Sequence, residues 1–320
     1  MPSKHISNNP RTKWGEKPYY SLDYYLKERF GEKVYKIALD GGMTCPNRDG
    51  TLDTRGCIFC SHGGSGDFAT KRTASVTEQI NQAISFMQSR NKRTGKKFIA
   101  YFQSFTNTYA PYPKLEKLYK EALSHPDITA LSIGTRPDCI PDETLDLIEH
   151  CNRIKPVWIE LGLQTIHEET ARFIRRGYPL SVFEDTVKRL RKRNIEVIVH
   201  IILGLPKETT SAILETIQYL NTMDIQGIKL QLLHVLKGTD LASYLPALSL
   251  YTKEEYIKLL LLCISHLSPD IVIHRLTGDG PKDLLLAPLW SQNKRSVLNE
   301  ISHQLKIHGI YQGKALFSQK

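Results

Sequence analysis

The chain has 320 residues, 41% of them apolar and 24% charged, enough to bury a substantial core and typical of a soluble globular protein. The longest apolar run, Leu259–Ile264, is far too short to span a bilayer, and the polar, basic start MPSKHISNNPRTKW lacks the apolar segment of a secretion signal. A net charge of +10 suits nucleic acid, an anionic cofactor or an acidic partner, and equally a protein that is merely basic.

The expected location is cytoplasmic, with no membrane contact. Thiols stay reduced there, so the six cysteines read as ligands, nucleophiles or core fillers. A first helix is expected over Tyr19–Phe30. Short apolar runs then alternate with longer amphipathic stretches. The runs are Val34–Leu39, Phe98–Phe102, Ile128–Ile133, Val157–Leu163, Ile195–Leu203 and Ile228–Leu233. The stretches are Thr77–Ser89, Lys114–Ser124, Asp142–Cys151, Ser181–Arg193 and Thr209–Thr222, with Thr77 and Ser181 as suitable N-caps. A further helix over Lys253–Leu267, a seventh apolar run at Ile271–Leu276 and a last helix over Lys294–Lys306 follow. Strand–helix alternation favours a parallel sheet with right-handed crossovers. The expected fold is α/β, a partial (β/α)6 TIM-like barrel with a C-terminal α/β extension; a doubly wound open sheet is the alternative. The domain reading is 1–30 as an N-terminal extension, 31–240 as the barrel and 241–320 as an extension packed on it.

Strand phase supports the barrel, because side chains two apart share a face. Val157, Ile159, Leu161 and Leu163 form one face of the fourth run; Trp158, Glu160, Gly162 and Gln164 form the other. A parallel strand covered by helices needs an apolar outer face, so the polar set points inward. Lys36, Glu160, Gln164, Lys229 and Gln231 then lie inside, where they need partners. Either a polar ligand in the barrel mouth or a self-satisfied network would supply them.

Cys45, Cys57 and Cys60 lie in GGMTCPNRDGTLDTRGCIFCSHGGSGDF, a C-x11-C-x2-C spacing in a glycine-rich loop directly after the first strand. Thiolates suit iron–sulfur clusters and zinc. Three cysteines leave one iron of a [4Fe–4S] cubane open to a small-molecule ligand. With His62 they would instead make a Cys3His zinc site. Cys139 follows a strand and could approach the barrel mouth, while Cys151 and Cys263 sit on helix patterns and read as core.

Here the sequence resembles the radical S-adenosylmethionine (SAM) superfamily, whose hallmark is a three-cysteine loop after the first strand of a partial barrel. The wide cysteine spacing, LSIGTRPDCI, IELGLQTIHEETARFIRRGY, VHIILGLPKET and LQLLHVLKGTDLA resemble the subgroup of the Elongator catalytic subunit, over roughly residues 20 to 245. RLTGDGPKDLLLAPLW resembles a smaller bacterial branch of that subgroup. The resemblance implies that Cys45, Cys57 and Cys60 hold a [4Fe–4S] cluster. It implies that Phe59 lies near the adenine of SAM and that Gln164 and Arg175 or Arg176 contact SAM. Gly134 replaces an acidic residue common before TRPD, and FQSFTNTY replaces a Gly-Gly-Glu segment, which leaves Gln103 and Ser104 as candidates for the remaining contacts. Glu160, inward and in phase with Gln164, joins them; Lys36, His200, Lys229 and His234 are further possibilities.

The implied chemistry is reductive cleavage of SAM to a 5′-deoxyadenosyl radical, with flavodoxin or ferredoxin as electron donor. The bacterial branch implies a tRNA substrate, the 5-aminomethyl-type side chain of a wobble uridine. No counterpart of the Elongator acetyltransferase domain is expected within these 320 residues, and a carboxymethyl-forming reaction is therefore not the expected one. Basic clusters at Arg90, Lys92, Arg93, Lys96 and Lys97, at Lys188, Arg189, Arg191, Lys192 and Arg193, and at Arg172, Arg175 and Arg176 are compatible with tRNA phosphates, or simply face solvent. The other readings are a radical enzyme acting on a small molecule or cofactor precursor and a zinc-stabilised RNA-binding protein. A methylthiotransferase would need a second three-cysteine motif.

Overall fold

A computed structural model describes residues 13–64, 66–70, 72–73, 75–90 and 94–317. Six strands fall where the apolar runs lie: β1 Tyr35–Leu39, β2 Phe98–Phe102, β3 Ile128–Thr135, β4 Val157–Gln164, β5 Glu196–Leu203 and β6 Gly227–Leu232. Helix α1 is Leu22–Phe30; α2 Val76–Arg90, α3 Tyr112–Ser124, α4 Asp142–Ile154, α5 Glu168–Phe173, α6 Leu180–Lys192 and α7 Thr210–Asn221 connect the strands. Beyond β6 come β7 Val235–Leu236, α8 Lys253–His266, β8 Val272–Arg275, β9 Leu285–Ala287, α9 Lys294–Ile307 and α10 Lys314–Phe317. Among the described residues no helix is long and apolar enough to cross a membrane.

The sheet order is β1-β2-β3-β4-β5-β6-β8, every pair parallel. A doubly wound sheet reverses its strand order at a switch point. This one never does, so every crossover steps the same way and the sheet curls into a half-barrel. The seventh apolar run, placed in the extension by the sequence reading, is β8, the last strand of that sheet. It pairs with β6, where its apolar Val272 and Ile273 are buried. The remaining extension adds an antiparallel β7–β9 pair and helices α8 to α10.

Two expected caps differ. Helix α2 begins before Thr77, and Ser75 Oγ accepts the Glu78 amide at 3.0 Å. Helix α6 begins before Ser181; Pro179 has no side chain to offer, and Glu168 Oε1 accepts the Leu180 amide at 2.6 Å. Elsewhere side chains cap locally: Ser21 on α1, Thr209 on α7, Asn293 on α9, and Thr252 with Glu255 as a capping box on α8.

The helices cover an apolar outer face that includes Leu131, Ile159, Val199 and Leu230. The inner face is layered in steps of two residues. At the floor, Ile99, Ala130, Trp158 and Ile198 pack against Leu26 of α1, which plugs the amino-terminal end of the barrel. The Tyr25 hydroxyl reaches Glu196 at 3.0 Å, and the Ile273 amide donates to Tyr20 at 2.7 Å, tying that plug to β5 and β8. Two residues higher lie Tyr101, Ser132, Glu160 and His200, and above them the strand ends open towards the cysteine loop.

Candidate active site

The loop after β1 is held from both sides. Arg48 donates to the Cys60 and Ser61 carbonyls at 3.0 and 2.7 Å, fastening the Cys45 half to the Cys57–Cys60 half. Asn47 Nδ2 donates to the Arg175 carbonyl at 2.7 Å, and the Ile58 amide to Ile174, so the segment after β4 carries the loop. The Leu241 amide donates to Ile58 at 2.8 Å from the carboxy-terminal side. Gly56 has φ +78°, and a Cβ there would meet the Arg48 guanidinium at 2.8 Å, so this turn needs glycine.

Cys45, Cys57 and Cys60 all line one cavity at the carboxyl ends of the strands. A hydrogen bond with Cys60 outweighs burial and, with Arg136, Asn47 and Arg48 nearby, brings the Cys57 thiol down to about 6. Among the described residues no three His, Cys, Asp or Glu side chains converge on a single-ion site. His62 is exposed beside Gly238 and is not on the cavity wall, so the fourth ligand of the zinc alternative is not where that site needs it. Cys139 is buried off the cavity wall, with its thiol raised to about 12 by burial and by Asp138. Cys151 and Cys263 are fully buried in α4 and α8.

Phe59 reaches the wall and packs with the apolar group around Ile202 and Leu233, at the ends of β5 and β6. Gln103 stands on the wall directly after β2, whereas Ser104 is buried, its Oγ 2.0 Å from where a Cβ on Gly66 would lie. Gln164 sits at a register shift of β4 with φ +68°, a conformation disfavoured for a residue with a Cβ. Its side chain folds over Gly162, where a Cβ would come within 2.8 Å of Nε2, and its buried Oε1 has no partner. Arg176 lines the cavity but spends its donors on the carbonyls of Tyr178 and Thr165, at 3.0 and 2.6 Å, and on Glu168 at 3.0 Å. Arg175, also at positive φ, pairs with Asp240 and keeps a buried Nη1 without a partner.

Below this rim, Glu160 anchors a polar cluster. Its Oε1 accepts from Lys36 at 2.5 Å and Ser132 at 2.6 Å; its Oε2 accepts from Lys229 and from His200 at 2.7 Å. Burial alone would raise this carboxyl, but Lys229, Lys36 and His200 hold it well below the usual range. Burial lowers Lys229 to about 7 and His200 to about 4, so His200 is a neutral donor. His234 hydrogen-bonds Ser291 at 3.1 Å and is also lowered to about 4 by burial. The self-satisfied network expected as one alternative is present around Glu160. Lys36, Ser132, His200 and Lys229 are all satisfied by Glu160, whereas Gln164 Oε1 at the rim is buried without a partner. Sequence reasoning missed Asn47, Arg48, Arg136 and Arg275; Arg48 and Asn47 could have been noticed as polar residues inside the cysteine loop.

Of the basic clusters, Lys92 and Arg93 lie outside the described residues. Arg189, Arg191 and Arg193 pair with Asp142, Asp224 and Asp146 on neighbouring elements.

The model of the radical SAM superfamily matches residues 54–220, and that of a Radical_SAM C-terminal domain matches residues 225–307. YtqA of Bacillus subtilis (strain 168) is 44% identical over 301 residues, 93% of each chain. A protein named tRNA uridine(34) acetyltransferase from Methanocaldococcus jannaschii is 27% identical over 198 residues, 57% of this chain and 33% of that one. The fold is similar to that of Elp3 from Methanocaldococcus infernus, with a TM-score of 0.65 and 15% identity over 87% of this chain and 64% of that one. A half-barrel with three cysteines at its mouth, matched over more than half its length by that family model, places this chain in the radical SAM superfamily of enzymes.

Proposed function

We propose that this enzyme binds a [4Fe–4S] cluster through Cys45, Cys57 and Cys60, binds SAM against Gln164, and acts on the side chain of a tRNA wobble uridine. The observation that carries the reading is the unpaired, buried Gln164 Oε1 on the same cavity wall as the three thiols. Superfamily members bind a [4Fe–4S] cluster and SAM, and the residues present fit both groups. A cubane presents separate irons to separate thiolates, so its ligands need not converge on one point. The lowered Cys57 thiol favours the thiolate a cluster needs.

When bound, the cluster supplies the electron, delivered by flavodoxin or ferredoxin, that cleaves SAM to methionine and a 5′-deoxyadenosyl radical. The chain's own residues position the reactants. Gln164 Oε1 can accept a hydroxyl of the SAM ribose, whereas Arg175 is not on the cavity wall and pairs with Asp240. Phe59 offers an aromatic face for adenine. Gln103 completes the wall. Ser104 supports the site from behind it, Arg176 braces the wall through its bonds to Tyr178, Thr165 and Glu168, and Glu160, with its oxygens already engaged, fixes Lys36 and Lys229 in the lumen. The tRNA substrate rests on the +10 charge and on similarity to a protein named for tRNA uridine 34.

The test is anaerobic purification with iron, sulfide and zinc analysis, then assay of 5′-deoxyadenosine with SAM, a reductant and tRNA. About four irons and four sulfides, lost in Cys57→Ala, together with a changed wobble nucleoside, are expected. Zinc without sulfide, and no SAM cleavage after reconstitution, would sink the reading. Cleavage with unchanged tRNA would redirect it to a small molecule.

A further inference from the structure

The lumen carries more basic groups than carboxylates to meet them. Lys36 and Lys229 share Glu160, and Asp279, the acid nearest Arg275, is held by Lys294 at 2.6 Å. Arg275 lies 3.7 Å from Asp279 and, among the described residues, its guanidinium makes no hydrogen bond. Its position is defined: Arg275 is the register partner of Lys229, across β6 and β8, and lines the same cavity as the cysteines. Gln231, the next inward residue on β6, also lines that cavity and makes no side-chain hydrogen bond among the described residues.

A guanidinium fork that shares a cavity wall with an unspent amide is suited to a planar or tetrahedral oxyanion, which the fork binds through two parallel hydrogen bonds. We propose that Arg275 and Gln231 form a subsite for an anionic group of the substrate, a carboxylate or a phosphate, on the β6–β8 side of the cavity. The proposal rests on reading the cavity as the joint SAM and substrate site. The site would select substrates by charge: an oxyanion supplies what Asp279 cannot, while a neutral group of the same shape leaves the guanidinium unpaired. The C-terminal segment, through β8, would thus contribute directly to specificity.

The test uses the full chain with its cluster reconstituted and saturated with SAM. Fluorine NMR follows trifluoroacetate and difluoromethylphosphonate, with trifluoroacetamide as the neutral control. Saturable binding of at least one anion is expected, weakened about tenfold in Arg275→Gln, with none for the amide; the stronger anion identifies carboxylate or phosphate. No saturable binding, or equal affinity in Arg275→Gln, overturns the proposal. Binding seen only before SAM is added also overturns it, by assigning the subsite to the carboxylate of SAM. Iron content and SAM binding are measured on the same samples, and no RNA enters, so failure of the cluster or tRNA reading registers separately.

Discussion

Replacing Glu160 with Gln tests how the barrel interior is held. The carboxylate accepts from Lys36, Ser132, His200 and Lys229 and is 1% exposed. The amide keeps the shape but removes the only carboxylate that Lys36 and Lys229 touch among the described residues. Removing one partner of a buried ion pair costs about 3–5 kcal/mol, a large part of the ~5–15 kcal/mol that domains possess. With a urea slope of about 3 kcal/mol per M, the unfolding midpoint should fall by about 1–1.7 M. Adding Lys229→Met should recover part of that loss, because it removes one uncompensated charge, with a coupling of about 0.5–3 kcal/mol. The assay is urea unfolding of wild type, both single variants and the double variant at equal iron content. A Glu160→Gln midpoint within about 0.2 M of wild type would refute the argument, since Lys36 and Lys229 would then tolerate the lumen without a counter-charge.

Gln164→Asn keeps a residue tolerant of positive φ but shortens the reach of its carbonyl; SAM affinity should fall about five- to tenfold with iron content unchanged, and equal affinity by calorimetry would remove Gln164 from the site. His200 and His234 are each lowered to about 4, first by burial, so between there and the ordinary 6.5 the unfolded chain binds more protons. The contribution of these two histidines to stability should therefore be level above about pH 7 and fall as pH drops towards 4, by about 3 kcal/mol for each; urea midpoints that stay flat or rise between about pH 7 and 4 would contradict the burial argument. Because Arg189, Arg191 and Arg193 already face Asp142, Asp224 and Asp146, alanine at any one should change tRNA affinity less than about twofold in filter binding. A tenfold loss would place α6 in the RNA interface.

The strand–helix alternation, the inward phase of Glu160, Gln164, Lys229 and Gln231, and the cysteine loop were legible in the chain, because period-two patterning and ligand spacing are local properties. The same locality explains the misplaced caps. Glu168 caps α6 from α5, and no neighbouring residue announces it. The sequence could say that Lys36, Glu160 and Lys229 point into one lumen, but not whether they meet each other or a ligand. That depended on barrel curvature, which brings β1, β4 and β6 within hydrogen-bonding reach and closes the middle layer on itself. Tertiary structure alone decided that Ile271–Leu276 supplies the seventh strand, because an apolar run takes its partner from whichever edge is open. With that strand came Arg275, which in sequence was one more basic residue and in the folded chain faces the cavity with, among the described residues, no carboxylate closer than Asp279 at 3.7 Å.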